Sequence, residues 1–533
     1  MKNKLIKILV SLLLLSTLSA CGGNAAVTTP PTTDPVTEQK TEANDTNTFF
    51  ELDGSVMFED GMIKNVDGDK DKIILSREAI EASNTYDFKF SFDSKSAIIR
   101  IYLDVKLDDN GDIKSAKMLR IDPLNGRFNL IQIVGEEQTQ LGYAKYPFQT
   151  KTHYYVRIRG LANSLSVYFG TAADEIETAP IIDVACTRPA KANLGICFNG
   201  STKGYISEPT YQRSTAPSED ARYQNPMLIN TIIADPTVLL YEGTYYMFTT
   251  GSFVCRTSTD LVNWKEAGAV ASSSTLYGTK YFGGAGIYER DGKFYLLYTS
   301  HQTETSGLSV FYATSDKILG PYVQNGTMQD HVLLSQNSPA GSFLFNDPVS
   351  GKDILYFYRT DPGVGNVLYA TNVTVADGKI TVTDKSPTKL TEPTEAWEKK
   401  SENGASTPVC ERPNVIYRDG YYSVFYAGSH YKTSYSEGYI VSDKPLTDFV
   451  KPKYTNPLLD ATASITGVGC TWIVESPDGT ELFVLYHAHD DVDSFRKRRL
   501  CMDRLTFREN PEGGPDIPVI HGPTVTYQPA PSK

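Results

Sequence analysis

The sequence predicts an all-β protein: an N-terminal β-sandwich followed by a five-bladed β-propeller. Three observations carry this reading. Aromatics are 11% of the 533 residues, and they are mostly Tyr (33) and Phe (23) rather than Trp (3), residue types that suit a pleated, half-buried surface. The N-terminal half alternates apolar and polar residues in short runs. The C-terminal half repeats one hairpin pattern five times. With 40% hydrophobic and 21% charged residues, the composition is that of a globular chain and excludes disorder throughout. A net charge of −12 argues against a general nucleic-acid binder, which needs a basic face for phosphates.

Residues 1–20 read as a signal peptide. Lys2, Lys4 and Lys7 precede an apolar stretch over residues 8–18 that is too short to span a bilayer. The run Leu18, Ser19, Ala20, Cys21 resembles a bacterial lipobox. That resemblance implies cleavage before Cys21, lipidation of its thiol and a lipid-anchored protein at the cell surface, outside the cytoplasm. Residues 21–48, rich in Thr, Pro, Asn, Asp and Glu, read as a disordered tether. Six further cysteines show no CxxC spacing, which argues against structural zinc. Cys186 and Cys197 are near enough in sequence to pair as a disulfide in an oxidising compartment.

Residues 49–213 contain alternating runs such as YDFKFSF (86–92), AIIRIYLDV (97–105), YYVRI (154–158) and LSVYF (165–169), separated by Gly, Asn and Asp clusters. This is the pattern of an antiparallel sandwich. The segment ANLGICFNGSTKGYISEPTY (192–211) resembles the final strands of a concanavalin-like or laminin-G-like sandwich. Two roles fit this region, a carbohydrate-binding module and a spacer packed on the next domain.

Residues 214–533 hold the repeat. A turn glycine followed by an aromatic strand recurs at Gly243 (YEGTYYMFTT), Gly292 (RDGKFYLLYTS), Gly351 (SGKDILYFYR), Gly420 (RDGYYSVFYAG) and Gly479 (PDGTELFVLYHA). Each glycine closes a hairpin. Several copies continue into a third strand with a shared signature, as in RTSTDLVNW, YATSDKILGPY and IVSDKPLTDF. Five such units in order predict five propeller blades.

In a propeller the innermost strand of each blade lines the central channel, and its start faces the pocket. Counting back eight or nine residues from each hairpin glycine reaches Asp235, Gly284, Glu411 and Cys470, and roughly Ala340 in blade 3, where the hairpin is longer. Two carboxylates therefore fall at matching positions on non-adjacent blades. Glycoside hydrolysis needs such a pair: one carboxyl protonated to serve the leaving oxygen, the other ionised to activate water or attack the sugar.

The region from about residue 225 to 531 resembles the family 43 glycoside hydrolases. The resemblance rests on ADPTVLLYEGTYYMF (234–248), ERPNVIYRDGYYSVFYAGSHY (411–431), EGYIVSDKPL (437–446), SPDGTELFVLYHAH (476–489) and HGPTVTYQP (521–529). It implies a propeller enzyme that cleaves β-xylosides or α-L-arabinofuranosides with inversion, with Asp235 as general base and Glu411 as general acid. It implies a carbohydrate partner, and the chain is read as a monomer that binds no nucleic acid. The family's third Asp is expected at the start of blade 3, where Ala340 and Gly341 stand; Asp347, in FNDP, is the nearest carboxylate and the candidate to orient the sugar or tune the acid. The usual Trp-Ala-Pro of blade 2 is Gly283, Gly284, Ala285. The usual Gly-x-Gly-His of blade 5 is Gly467, Val468, Gly469, Cys470.

Members of the family often hold Ca²⁺ in the channel near a blade-5 histidine, which makes His487 the candidate for an indirect metal contact; no cofactor is required for the chemistry. Trp397, Trp472 and Arg499 are the candidates for sugar contact, with Trp472 facing either channel or core. Two rival readings stand beside the first. A retaining fructan hydrolase of the related family 32 is disfavoured by Ala234 and Thr237 around Asp235, and by a Cys that precedes Glu411 rather than following it. A non-catalytic glycan-binding surface protein is suggested by Ala340.

Overall fold

The computed structural model describes residues 48–66, 71–199, 203–215, 222–227, 232–401, 407–432, 435–490 and 497–533. The signal segment, Cys21 and the tether up to residue 47 lie outside the described residues. Among those described there is no α-helix; only the 3₁₀ turns Met328–Asp330 and Ala396–Glu398 interrupt the strands and loops.

The first layer pair is a sandwich. One antiparallel sheet runs in the order Val56–Glu59, Met62–Asn65, Gly204–Ser207, Asn84–Phe92, Tyr154–Leu161, Ser164–Gly170, Ile182–Ala185. The other runs Ile74–Leu75, Lys191–Phe198, Ile99–Leu107, Ile113–Asp122, Arg127–Val134, Glu137–Lys145. Because side chains alternate along a strand, every second residue points inward. Phe88, Phe90 and Phe92 from the first sheet thus meet Ile99, Ile101 and Leu103 from the second in one buried core. Cys186 and Cys197 are both free thiols, so the pairing that an oxidising compartment would permit is not made. Cys186 follows the edge strand of the first sheet, whereas Cys197 sits in the second and faces the outer cluster of Tyr102, Met118 and Ile133.

Five antiparallel sheets of three to five strands follow, each one blade. Their innermost strands are Thr237–Tyr241, Gly283–Arg290, Ala340–Asn346, Cys410–Arg418 and Gly469–Glu475. Blades 1, 2 and 4 turn through two residues, Glu242 and Gly243, Asp291 and Gly292, Asp419 and Gly420, all with positive φ. That is the turn whose twist matches paired strands, and it explains the repeated Gly. Blades 3 and 5 have longer hairpins.

The ring closes on blade 5. The amides of Met227 and Ile233 donate to Leu500 O (2.8 Å) and Arg498 O (2.9 Å), and Arg222–Tyr223 pairs with Gln528–Pro529. The sandwich is joined to this same region. Tyr143 donates to Asp460 Oδ2 (2.7 Å), Ala463 N to Leu141 O (2.8 Å), and the Val525 and Thr526 amides to Asp183 Oδ2 (2.8 and 2.7 Å). Arg508 grips Glu177 with both arms of its guanidinium (2.5 and 2.6 Å). The connection between blades 4 and 5, which leads to Cys470, is therefore held from outside by sandwich strands.

Candidate active site

Each innermost strand reaches the channel axis through the same device. Asp235, Gly284, Gly341, Arg412 and Cys470 have φ between 51° and 60°, the left-handed region. In blades 2 to 5 the strand register shifts at that point, between Gly283 and Gly286, Ala340 and Phe343, Glu411 and Asn414, and Gly469 and Trp472. A β-bulge adds a residue, turns the strand and re-aims a side chain. Counting back from the hairpins places Ala340 and Glu411 at this phase. The structure puts Gly341 and Arg412 there: with the two-residue hairpin of blades 1, 2 and 4 the position is eight residues before the glycine, and a window of eight or nine admits Glu411 as well. Glu411 lies one residue earlier, so it enters the site beside the ring of five rather than within it.

Asp235 is held from three sides. Its Oδ1 is 3.3 Å from His487 Nδ1 and 3.4 Å from Arg498 Nη1. Its amide donates to His487 Nδ1 (3.1 Å), and its carbonyl accepts from Arg412 Nη2 (3.2 Å). Burial opposes a charge here, but contact with His487 and the guanidinium groups of Arg498 and Arg412 outweigh it. The carboxyl is held well below the usual carboxylate range. Burial also lowers His487, to about 4 despite Asp235, so its imidazole is neutral at pH 7.

Glu411 has the opposite setting. Burial, reinforced by the negative charge of Asp235, pushes it up to about 7. The Tyr435 hydroxyl donates to Oε1 and Asn366 Nδ2 to Oε2 (3.2 Å), and these bonds together with Arg412 only partly offset the rise. Near neutral pH the site therefore holds one ionised carboxylate and one carboxyl that is substantially protonated.

The other sequence candidates fall elsewhere. Asp347 does not enter the site. It lies past the far end of its strand, where its carboxylate accepts from the Val349 and Ser350 amides and the Tyr422 hydroxyl (2.7 Å). At about 3.3 Å per residue that end is roughly 20 Å from Ala340. Trp397, 7% exposed, packs in the core with Tyr426 and Ile440, and its ring covers Gly428 and Gly438. It anchors the connection entering blade 4 and presents no face for a sugar. Trp472 faces the channel, with its Nε1 donating to Val238 O (2.7 Å) and its ring 5.2 Å from Phe343. With Ile287 and Val415 it lines a cavity of about 300 Å³ further along the channel, beyond the ring of bulges. Arg499 turns outward to Asp490, and its neighbour Arg498 faces Asp235. Alternation separates the two: Arg498 pairs with His489 and Arg499 with Ala488.

Arg412, Arg498, Tyr435 and Asn366 are site residues that the sequence reading passed over. A signal existed for the first two, since Arg412 adjoins Glu411 and Arg498 adjoins Arg499. Tyr435 and Asn366 arrive from the third strands of blades 4 and 3, and no local pattern marks them.

The residues present do not suit the Ca²⁺ that the resemblance implies. Asp235, Cys470 and His487 place a carboxylate, a thiol and an imidazole within 4.8 Å of one another. Calcium takes six to eight oxygen ligands. Here one oxygen donor already faces Arg498, and the Cys470 thiol is pushed well above its usual value, chiefly by burial.

A propeller whose pocket sets an ionised carboxylate beside a protonated one is the architecture of a propeller glycosidase. Residues 223–511, more than half of the chain, match the family model described as glycosyl hydrolases family 43, and the chain belongs to that family; it is a glycoside hydrolase. A thermostable family-43 glycoside hydrolase of known structure aligns with a TM-score of 0.51 at 26% identity, over 58% of this chain and 99% of that one. An endo-1,4-β-xylanase from Bacteroides thetaiotaomicron aligns at 0.47 and 28% identity, over 58% and 100%. In sequence, a β-D-galactofuranosidase of Aspergillus niger is 24% identical over 336 residues, 57% of this chain and 88% of that protein.

Proposed function

We propose that this site hydrolyses a glycosidic bond with inversion, Asp235 activating the water and Glu411 protonating the leaving oxygen. The observation that carries the reading is the opposed ionisation of the two carboxyls. A general base must be ionised at working pH, and contact with His487 together with the Arg498 and Arg412 guanidinium groups keeps Asp235 so. A general acid must still hold its proton, and burial beside a negative charge gives Glu411 a value of about 7. Neutral His487 takes no proton from Asp235 and serves to orient it. The family match and the similarity to xylan- and galactofuranoside-cleaving proteins support a pentoside or furanoside substrate: a β-xyloside, an α-L-arabinofuranoside or a β-D-galactofuranoside. The lipobox-like run ending at Cys21 supports a lipid-anchored position outside the cytoplasm, where such polymers are met.

The test is a proton NMR time course with aryl glycosides of those three classes. The expected product is the inverted sugar, with kcat/KM reduced about 10²- to 10⁴-fold in both Asp235→Asn and Glu411→Gln. Release of the retained anomer would make Asp235 a nucleophile and remove the assignment of base. Turnover that survives both substitutions would remove the assignment of both residues.

A further inference from the structure

The axis of this propeller is crossed by one side chain. Arg412 leaves blade 4 at its bulge and passes Gly341 of blade 3 and Gly284 of blade 2, and its Nη2 then donates to the Asp235 carbonyl of blade 1 (3.2 Å). A Cβ on Gly341 would lie 3.0 Å from Arg412 Cδ, and one on Gly284 would lie 2.8 Å from Arg412 Nη1. The two glycines leave the space this side chain fills. Their own φ values, 59° and 60°, add a second reason for Gly at each. Cys470 of blade 5 completes the ring.

Among the described residues the ion pair with Asp235 belongs to Arg498, and Arg412 contributes a single hydrogen bond to a main-chain oxygen. This guanidinium is partly shielded in the channel and touches no carboxylate directly, and an unpaired charge withdrawn from water is costly. The carboxylates it influences, Asp235, Glu411 and Glu437, stand around the site. The strongest of these couplings is with Asp235, whose main chain Arg412 also holds.

We propose that the Arg412 guanidinium is the permanent axial cation of this propeller, filling the channel position where the family resemblance leads one to expect a calcium ion, so that the protein is built to work without metal. An arginine is charged at every physiological pH and cannot dissociate. It provides the positive potential that favours an ionised Asp235, and it holds the Asp235 main chain through the carbonyl. A divalent ion on Asp235, Cys470 and His487 would have to sit against this charge, with a buried thiol among its ligands. Arg412 is a positioning residue and takes no part in bond making.

The test uses the full chain purified without added metal. Elemental analysis and thermal unfolding with EDTA or with millimolar Ca²⁺ need no substrate, so they stand even if the proposed reaction fails. The expected result is substoichiometric divalent metal and an unchanged Tm. One equivalent of bound metal, with Tm falling in EDTA by more than about 3 °C, overturns the proposal. Arg412→Met keeps the stem and removes the charge, and Arg412→Lys restores a charge with a shorter reach. In the Met variant Asp235 keeps only Arg498 as a cation, so the acid limb of kcat/KM should move upward, with partial return in the Lys variant. An acid limb that stays put in a folded Met variant overturns the role.

Discussion

Glu411→Gln tests the ionisation that the proposed mechanism needs, and it does so through stability as well as rate. In the folded protein Glu411 titrates at about 7, against 4.5 for an ordinary glutamate. A group raised in this way leaves its protein fully stable below the unfolded value, and stability is lost as pH climbs through the folded one. The difference of about 2.5 units corresponds to roughly 3 kcal/mol at 1.36 kcal/mol per unit. Glu411 is only partly shielded, so about 2 kcal/mol is the reasonable expectation. Glutamine carries no charge and escapes this loss. Its amide also faces the Asn366 amide, which costs about 1 kcal/mol at every pH and so moves the whole curve without changing its shape. Thermal unfolding of wild type and Glu411→Gln should be followed from pH 4 to 8. The Tm difference should move in favour of the variant by about 2 °C between pH 4.5 and 7 and then level off. A difference that stays constant across this range would mean that Glu411 is ionised throughout, and the general-acid assignment would lose its physical basis.

Three further outcomes follow from the same contacts. The wild-type kcat/KM profile should fall on the alkaline side near pH 7, as Glu411 loses its proton, and on the acid side only below the usual carboxylate range; an alkaline limb above pH 9 would contradict the role of Glu411. Trp397→Leu should lower stability by about 2–4 kcal/mol, read as Tm, and leave KM unchanged, whereas a raised KM at unchanged Tm would return Trp397 to the sugar site. Glu177→Ala strips the partner from Arg508 and from buried His521 and should cost about 3 kcal/mol, measured by urea unfolding, with kcat/KM per folded molecule preserved.

The propeller was legible because its hairpins are local. A turn glycine, an aromatic strand and a shared third-strand signature lie within some thirty residues of one another, and each of the five marks one blade. The sandwich was legible for the same reason, since alternation along each strand decides which side chains reach the core. The site was less so. A count of eight or nine residues leaves one position open, and that one residue separates Glu411 from the position that Arg412 holds. Resemblance alone points to Arg499, and alternation along the strand gives the inward position to Arg498. Asp347 and Trp397 drew attention for their chemistry, yet both serve the fold, one as a turn cap and the other as core. Tyr435 and Asn366 reach Glu411 from separate strands, and only the closed ring brings them together.

The five left-handed positions around the axis also separate backbone from chemistry. Because every blade presents its axial residue at nearly the same φ, the ring behaves as five sockets in a common frame, occupied here by an acid, two glycines, a base and a thiol. Left-handed backbone at Asp235, Arg412 and Cys470 costs roughly 1–2 kcal/mol at each, a strain the rest of the propeller has to absorb. In exchange, the content of a socket can change without a new fold. Single substitutions at these five positions therefore change the chemistry at the axis and leave every strand in register.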